Sequence, residues 1–192
     1  MENVLNITGS ELVKALSIYN DLHGESDRSA VILGTANLDI LLYQILQKYL
    51  IPCASSKDDL FEGDGPLSAF GVKIDLVYRL GLIDGECSRA LHLSRKIRNE
   101  FAHEVSKGTL STGAHRDRVK AILSRFEDFA PFKGIKASVI KAGEATPSDE
   151  FRIVLSILSV YLTIICNTVV PLTPLGVPLS VFKAGSGHEI KS

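Results

Sequence analysis

The run Ile153-Val154-Leu155-Ser156-Ile157-Leu158-Ser159-Val160-Tyr161-Leu162-Thr163-Ile164-Ile165-Cys166-Asn167-Thr168-Val169-Val170 decides the fold, because it is either a membrane span or the core helix of a bundle. It carries no charge and approaches the length that crosses a bilayer. Its polar residues argue for the core. Ser156, Ser159, Thr163 and Asn167 recur at helical spacing and form one stripe, while Val154, Leu158, Leu162 and Ile165 fill other faces. Hydroxyls in such a stripe bond back to the carbonyls of their own helix, which makes them tolerable inside a protein. The reading is a nearly all-buried helix begun by Ser148, with no membrane span.

Working outward, apolar residues recur at three and four along most of the chain, and no alternation of period two persists. The expected fold is an all-α, single-domain bundle of about six helices over residues 1–170, followed by an irregular Pro/Gly-rich tail over 171–192. Ser10 caps a first helix closed by His23-Gly24, and a second runs from about Ser26 to Leu50, stopped by Pro52. A third begins with Pro66 as its first residue and ends near Gly81. Asp84 caps a fourth, whose apolar stripe of Ala90, Leu93, Ile97 and Phe101 leads to His103. A fifth covers about His115 to Phe129, Lys107-Gly108 having broken the pattern before it, and Pro131 to Pro147 reads as a connection with a short extended piece.

Composition narrows the chemistry. The 21 basic and 22 acidic residues leave a formal charge of −1, so no global field draws the protein to nucleic acid or an anionic membrane. The charge is uneven: Arg95 to Arg125 holds eight Lys/Arg and three Asp/Glu. Cys53, Cys87 and Cys166 are far apart with no Cys-x-x-Cys pair, which points to a reducing cytoplasm and to no thiolate metal site. The first residues have neither the basic region nor the apolar run of a secretory signal. Gly-x-Ser-x-Gly, phosphate-loop and His-Glu-x-x-His motifs are all missing, so no cofactor or metal is expected.

The segment Arg98-Asn99-Glu100-Phe101-Ala102-His103 is where chemistry is expected. Arginine holds a phosphate and histidine moves a proton. Arg98 and His103 are five positions apart, about 140° around an intact helix at 3.6 residues per turn. They converge only if the helix frays near Ala102 or if two chains build a composite cleft. Arg95, Asn99 and His103 do share a stripe, a polar surface suited to a phosphodiester. In the last turn His103 feels the negative end of the helix dipole, which suits a general acid, while Arg98 would neutralise charge on the phosphate. The competing reading is structural: His103 caps carbonyls and Arg98 pairs with Asp39, which sits between Leu38 and Ile40 and shares a narrow face with Arg28 and Thr35.

Glu62-Gly63-Asp64-Gly65-Pro66-Leu67, continued to Tyr78-Arg79-Leu80-Gly81-Leu82-Ile83, resembles the signature segment of the bacterial mannitol operon repressor family. Arg98 to His103 follows at a similar distance, and the resemblance spans about residues 28 to 105. It implies an all-helical, non-catalytic transcription regulator that acts through a protein partner. No helix-turn-helix with a basic recognition helix is legible, so sequence-specific DNA binding is not expected. The glycines of the segment read as turn chemistry, since no lysine follows them as in a nucleotide cradle.

The Arg98–His103 element is also similar to the motif of HEPN-superfamily nucleases: an arginine, a polar residue after it and a histidine. That resemblance implies a homodimer and metal-independent RNA cleavage, with Arg98 and His103 catalytic, Asn99 supporting, and Asp39 in the place of an acidic residue on an earlier helix. The regulator is the first expectation and the ribonuclease the alternative.

Overall fold

The computed structural model describes residues 8–103, 108–140, 145–174 and 176. Among these the chain forms seven helices and no strand: α1 Gly9–His23, α2 Asp27–Tyr49, α3 Phe70–Arg79, α4 Gly85–His103, α5 Gly113–Leu123, α6 Ala130–Val139 and α7 Pro147–Thr168. The all-α reading holds, with one helix more than expected. The expected break at Lys107 and most of the tail lie outside the described residues.

Four of the helix starts have a side-chain cap. Glu11 reaches back to the Thr8 N–H (2.5 Å), so the cap of α1 is Thr8 and not Ser10. The Ser26 hydroxyl accepts from the Ser29 N–H (3.1 Å), and Asp84 Oδ1 accepts from the Cys87 N–H (2.7 Å). At α7, Thr146 and Asp149 form a reciprocal capping box, and the helix begins at Pro147, one position before the expected Ser148 start.

α7 is the axis of the bundle. All ten residues from Phe151 to Val160 are buried, and the stripe behaves as the sequence requires: Ser156, Ser159 and Thr163 donate to the carbonyls of Ile153, Leu155 and Ser159 at 2.7, 2.8 and 2.7 Å. By length and composition both α2 and α7 could cross a membrane, so α2 joins the run first singled out; 72% of the apolar window of α7 and 44% of that of α2 are buried in the bundle.

α2 lies parallel to α7, because contacts advance together along both: Gly34 beside Leu155, the Asn37 amide donating to Ser159 Oγ (3.0 Å), and Lys48 Nζ donating to the Cys166 carbonyl (2.9 Å). A Cβ at Gly34 would lie 2.7 Å from Leu155 Cδ1, so glycine sets how closely these two helices approach. α1 runs antiparallel to α7, with Arg152 near its end and Glu11 and Lys14 near Thr163 and Asn167. α3 and α4 pack on the other side of α2, and α5 and α6 complete the cover of α7.

The polar centre of the bundle is Asp27, which the sequence reading did not single out. Its Oδ2 accepts from the Leu110 N–H (3.0 Å), Ser148 Oγ (2.9 Å) and Thr109 Oγ1 (3.2 Å), and its Oδ1 from Arg152 Nη2 (3.0 Å). Arg152 also donates to the carbonyls of Leu22 (3.0 Å) and Glu25 (2.9 Å). Burial works to raise the Asp27 pKa, but the bonds from Leu110 and Ser148, the Arg152 charge and the Thr109 bond outweigh it and hold the carboxyl below its ordinary value.

Three boundaries differ from expectation. Pro66 does not begin α3: residues 58–68 fold as successive turns, and the helix starts at Phe70. α5 stops at Leu123, and turns carry the chain through Phe126 to Phe129. The stretch from Pro131, expected to be a connection, is largely helix, with Phe132 and Ile135 buried one turn apart.

Candidate functional site

The segment ending α4 divides between two environments. Phe101 is buried and stacks on the His115 ring (centroids 4.5 Å apart, 27° between planes). Glu100 turns the same way, with Oε2 accepting from Arg118 Nη1 (2.5 Å) and lying 3.2 Å from His115 Nδ1. These contacts fasten α4 to α5. Arg98 and His103 face solvent, and Asn99 is half-buried.

The Asp39–Arg98 ion pair does not form. Asp39 Oδ1 lies 2.9 Å from Lys73 Nζ, whose side chain is only 6% exposed. Lys73 directs a hydrogen bond to the Ser68 carbonyl (3.1 Å) instead, so its contact with Asp39 is an ion pair without hydrogen-bond geometry. Lysine reaches Asp39 from the adjacent helix α3, while Arg98 points outward. Its guanidinium donates to the neighbouring Asn99 Oδ1 (3.2 Å) and pairs with no carboxylate among the described residues. Nor do Arg28, Thr35 and Asp39 act as one face: Thr35 is buried and donates to the Val31 carbonyl (2.6 Å), while Arg28 is exposed.

α4 continues helically through Ala102 to His103, so no fray swings the histidine toward Arg98 within one chain. The stripe is divided too. Arg95 lies against α3, where a Cβ on Gly71 would come within 3.3 Å of its Nε, and that buried nitrogen has no hydrogen-bond partner. What faces water is Arg98 with Asn99, and His103. That set supplies donors for a phosphate and a titratable ring, without a base and an acid converging on one point.

The loop carrying Gly63, Asp64, Gly65 and Pro66 is a built turn. Gly63 has φ +59°, a left-handed conformation that glycine tolerates. A Cβ at Gly65 would lie 2.4 Å from the Asp59 carbonyl oxygen and 2.6 Å from that of Leu60, so the backbone passes too close for any side chain. The Leu67 N–H donates to the Leu60 carbonyl (2.8 Å) and closes the loop. Phe61 then meets the Tyr43 ring edge-on (centroids 5.1 Å, 85°). The turn reading of these glycines holds.

The three cysteines are free thiols, Cys53 exposed and the others buried. Among the described residues no three His, Cys, Asp or Glu side chains are placed to share a metal ion. Sequence reasoning missed His115, whose place opposite Glu100 follows from the α4–α5 packing. The chain matches no protein-family model, no curated protein and no solved structure.

Proposed function

We propose that this protein is a non-catalytic transcription-regulatory protein of the mannitol operon repressor type, a cytoplasmic homodimer that works through protein partners and does not read DNA itself. The observation that carries this reading is the outward face of α2. Leu33, Ile40 and Tyr43 stand there 54%, 55% and 36% exposed, and Ala36, Gln44 and Gln47 beside them add no charge. Clustered exposed apolar side chains mark surfaces that associate with other proteins. A face without charge also meets its own copy without like-charge repulsion.

The test is transcription of the mannitol-uptake operon in host cells lacking the protein and in cells complemented with wild type or with Leu33→Glu/Ile40→Glu. Wild type should restore control and the folded double variant should not. Equal transcript in all three strains sinks the proposal. Sedimentation equilibrium of the same proteins should show a dimer for wild type and a monomer for the variant.

One observation favours a second reading, a HEPN-type metal-independent ribonuclease: the carboxylate expected to occupy Arg98 is held by Lys73, which leaves Arg98 and His103 open to solvent. In a dimer the two motifs would supply a composite cleft, with Arg98 on the phosphate and His103 moving a proton between the 2′-hydroxyl and the leaving oxygen. RNA cleavage in EDTA, leaving 2′,3′-cyclic phosphate ends and lost in folded Arg98→Ala and His103→Ala, would establish it. No cleavage by wild type across a broad RNA panel would remove it.

A further inference from the structure

A cleft of about 160 Å³ opens where the α4 start, the turns after α5 and the middle of α7 meet, away from the Arg98–His103 segment. Its walls are aromatic. The Phe126 and Phe129 rings stand nearly at right angles (centroids 6.2 Å apart, 78° between planes), and Tyr161 contributes a third ring from α7. Ile157 and Leu158 make a buried apolar floor. A cavity of about 150 Å³ accommodates benzene, so this one takes a head group of that bulk while its open side lets a chain lead out to solvent.

The charges at its rim do not cancel. Glu86 is taken up by two arginines, Oε1 accepting from Arg89 Nη1 (3.0 Å) and Oε2 from Arg125 Nη1. That contact holds the guanidinium of Arg125, the one cation of the lining, on Glu86 at the rim. Asp84 is different. It caps α4 through one oxygen and forms no ion pair with any described residue, so no partner offsets its charge beside the cleft.

We propose that this cleft binds a small organic cation of the alkylammonium or quaternary ammonium class, its head group boxed by Phe126, Phe129 and Tyr161 and its charge matched by Asp84. Aromatic faces attract a cation through their quadrupoles, and a quaternary head presents an apolar shell that needs no hydrogen bonds. Burial, then the Cys87 thiol and the Asp84 charge, push the Tyr161 hydroxyl up to about 12, and burial together with Asp84 raises the Cys87 thiol as well. Both stay neutral at physiological pH. Both shifts are led by burial, which opposes a charge of either sign; the contribution of Asp84 is the part that favours a cation over a carboxylate or phosphate ligand.

The experiment is titration of 15N-labelled protein with choline chloride at ionic strength held constant with sodium chloride, followed by amide shifts. 3,3-Dimethylbutan-1-ol, the neutral isostere of choline, is the control. Choline should shift residues lining the cleft and bind about tenfold more tightly than the isostere, in keeping with about 1.4 kcal/mol from cation–π and charge terms. Asp84→Asn keeps a good helix cap while removing the charge, and it should cost most of that preference with little change in melting temperature. Phe129→Leu should weaken choline more than the isostere. The proposal is overturned if the two probes bind equally, if neither shifts the cleft, or if choline binding survives both substitutions.

Discussion

Arg152 and Arg98 stand on helices of similar length, yet one is sealed inside the bundle and the other faces water. Arg152 reaches two main-chain carbonyls and the Asp27 carboxylate, which is itself bonded by Leu110, Thr109 and Ser148. Among the described residues Arg98 hydrogen-bonds only the amide beside it. The difference teaches that an arginine's neighbours in sequence do not reveal its role. Arg152 directly precedes the uncharged run that reads as apolar core and is the fold's polar anchor, while Arg98 lies in the segment that reads as chemistry and fastens nothing among the described residues.

The sharpest way to break this comparison is Asp27→Ala, which strands a buried guanidinium. It should destabilise the fold by about 3 kcal/mol or more in urea unfolding. A loss under about 1 kcal/mol would mean the network is not an anchor. The same carboxyl supplies a pH signature. Its folded pKa lies below the ordinary value, so its contribution is present above the unfolded pKa near 3.9 and is lost as pH falls through the lower folded value. Wild-type stability should therefore fall more steeply than that of Asp27→Asn on acidification from about pH 5. Parallel slopes would reject the assignment.

Asp39→Ala tests the intermediate case. It removes the partner of buried Lys73, but Asp39 is 31% exposed and Lys73 keeps its bond to Ser68, so the loss should be nearer 2 kcal/mol than the full value for a buried pair. Smallest of all, Arg98→Ala and His103→Ala should each change stability by less than about 0.5 kcal/mol, as exposed surface substitutions do. A loss above about 1 kcal/mol from either would make the motif structural after all.

The α-helical class, the course of α1, α2, α4 and α7, and the back-bonded hydroxyl stripe of α7 were legible because period and local capping decide them. The partner of Asp39 was not. Lys73 and Arg98 are both cations on helices adjacent to α2, and only the relative placement of α3 and α4 selects between them. α6 was hidden by punctuation: the stretch from Pro131 to Pro147 reads as a connection, although proline is well tolerated in a first turn and Phe132 and Ile135 keep helical spacing. Gly65 was legible as a turn residue, but its close approach to residues 59 and 60 is tertiary and leaves no trace in a pattern. His115 and the aromatic cleft were invisible for the same reason, each being assembled by helices distant in sequence.

The central place of α7 has a consequence for the chain during synthesis. Arg152 bonds the Leu22 carbonyl across 130 positions, and α2 finds its broadest packing partner in α7. A ribosome releases the earlier helices first, so Leu38, Leu41 and Ile45 emerge well before the residues that will cover them. The nascent polypeptide must carry that sticky surface for most of its elongation. Its yield in cells should depend on whatever shields the growing chain until the seventh helix leaves the exit tunnel.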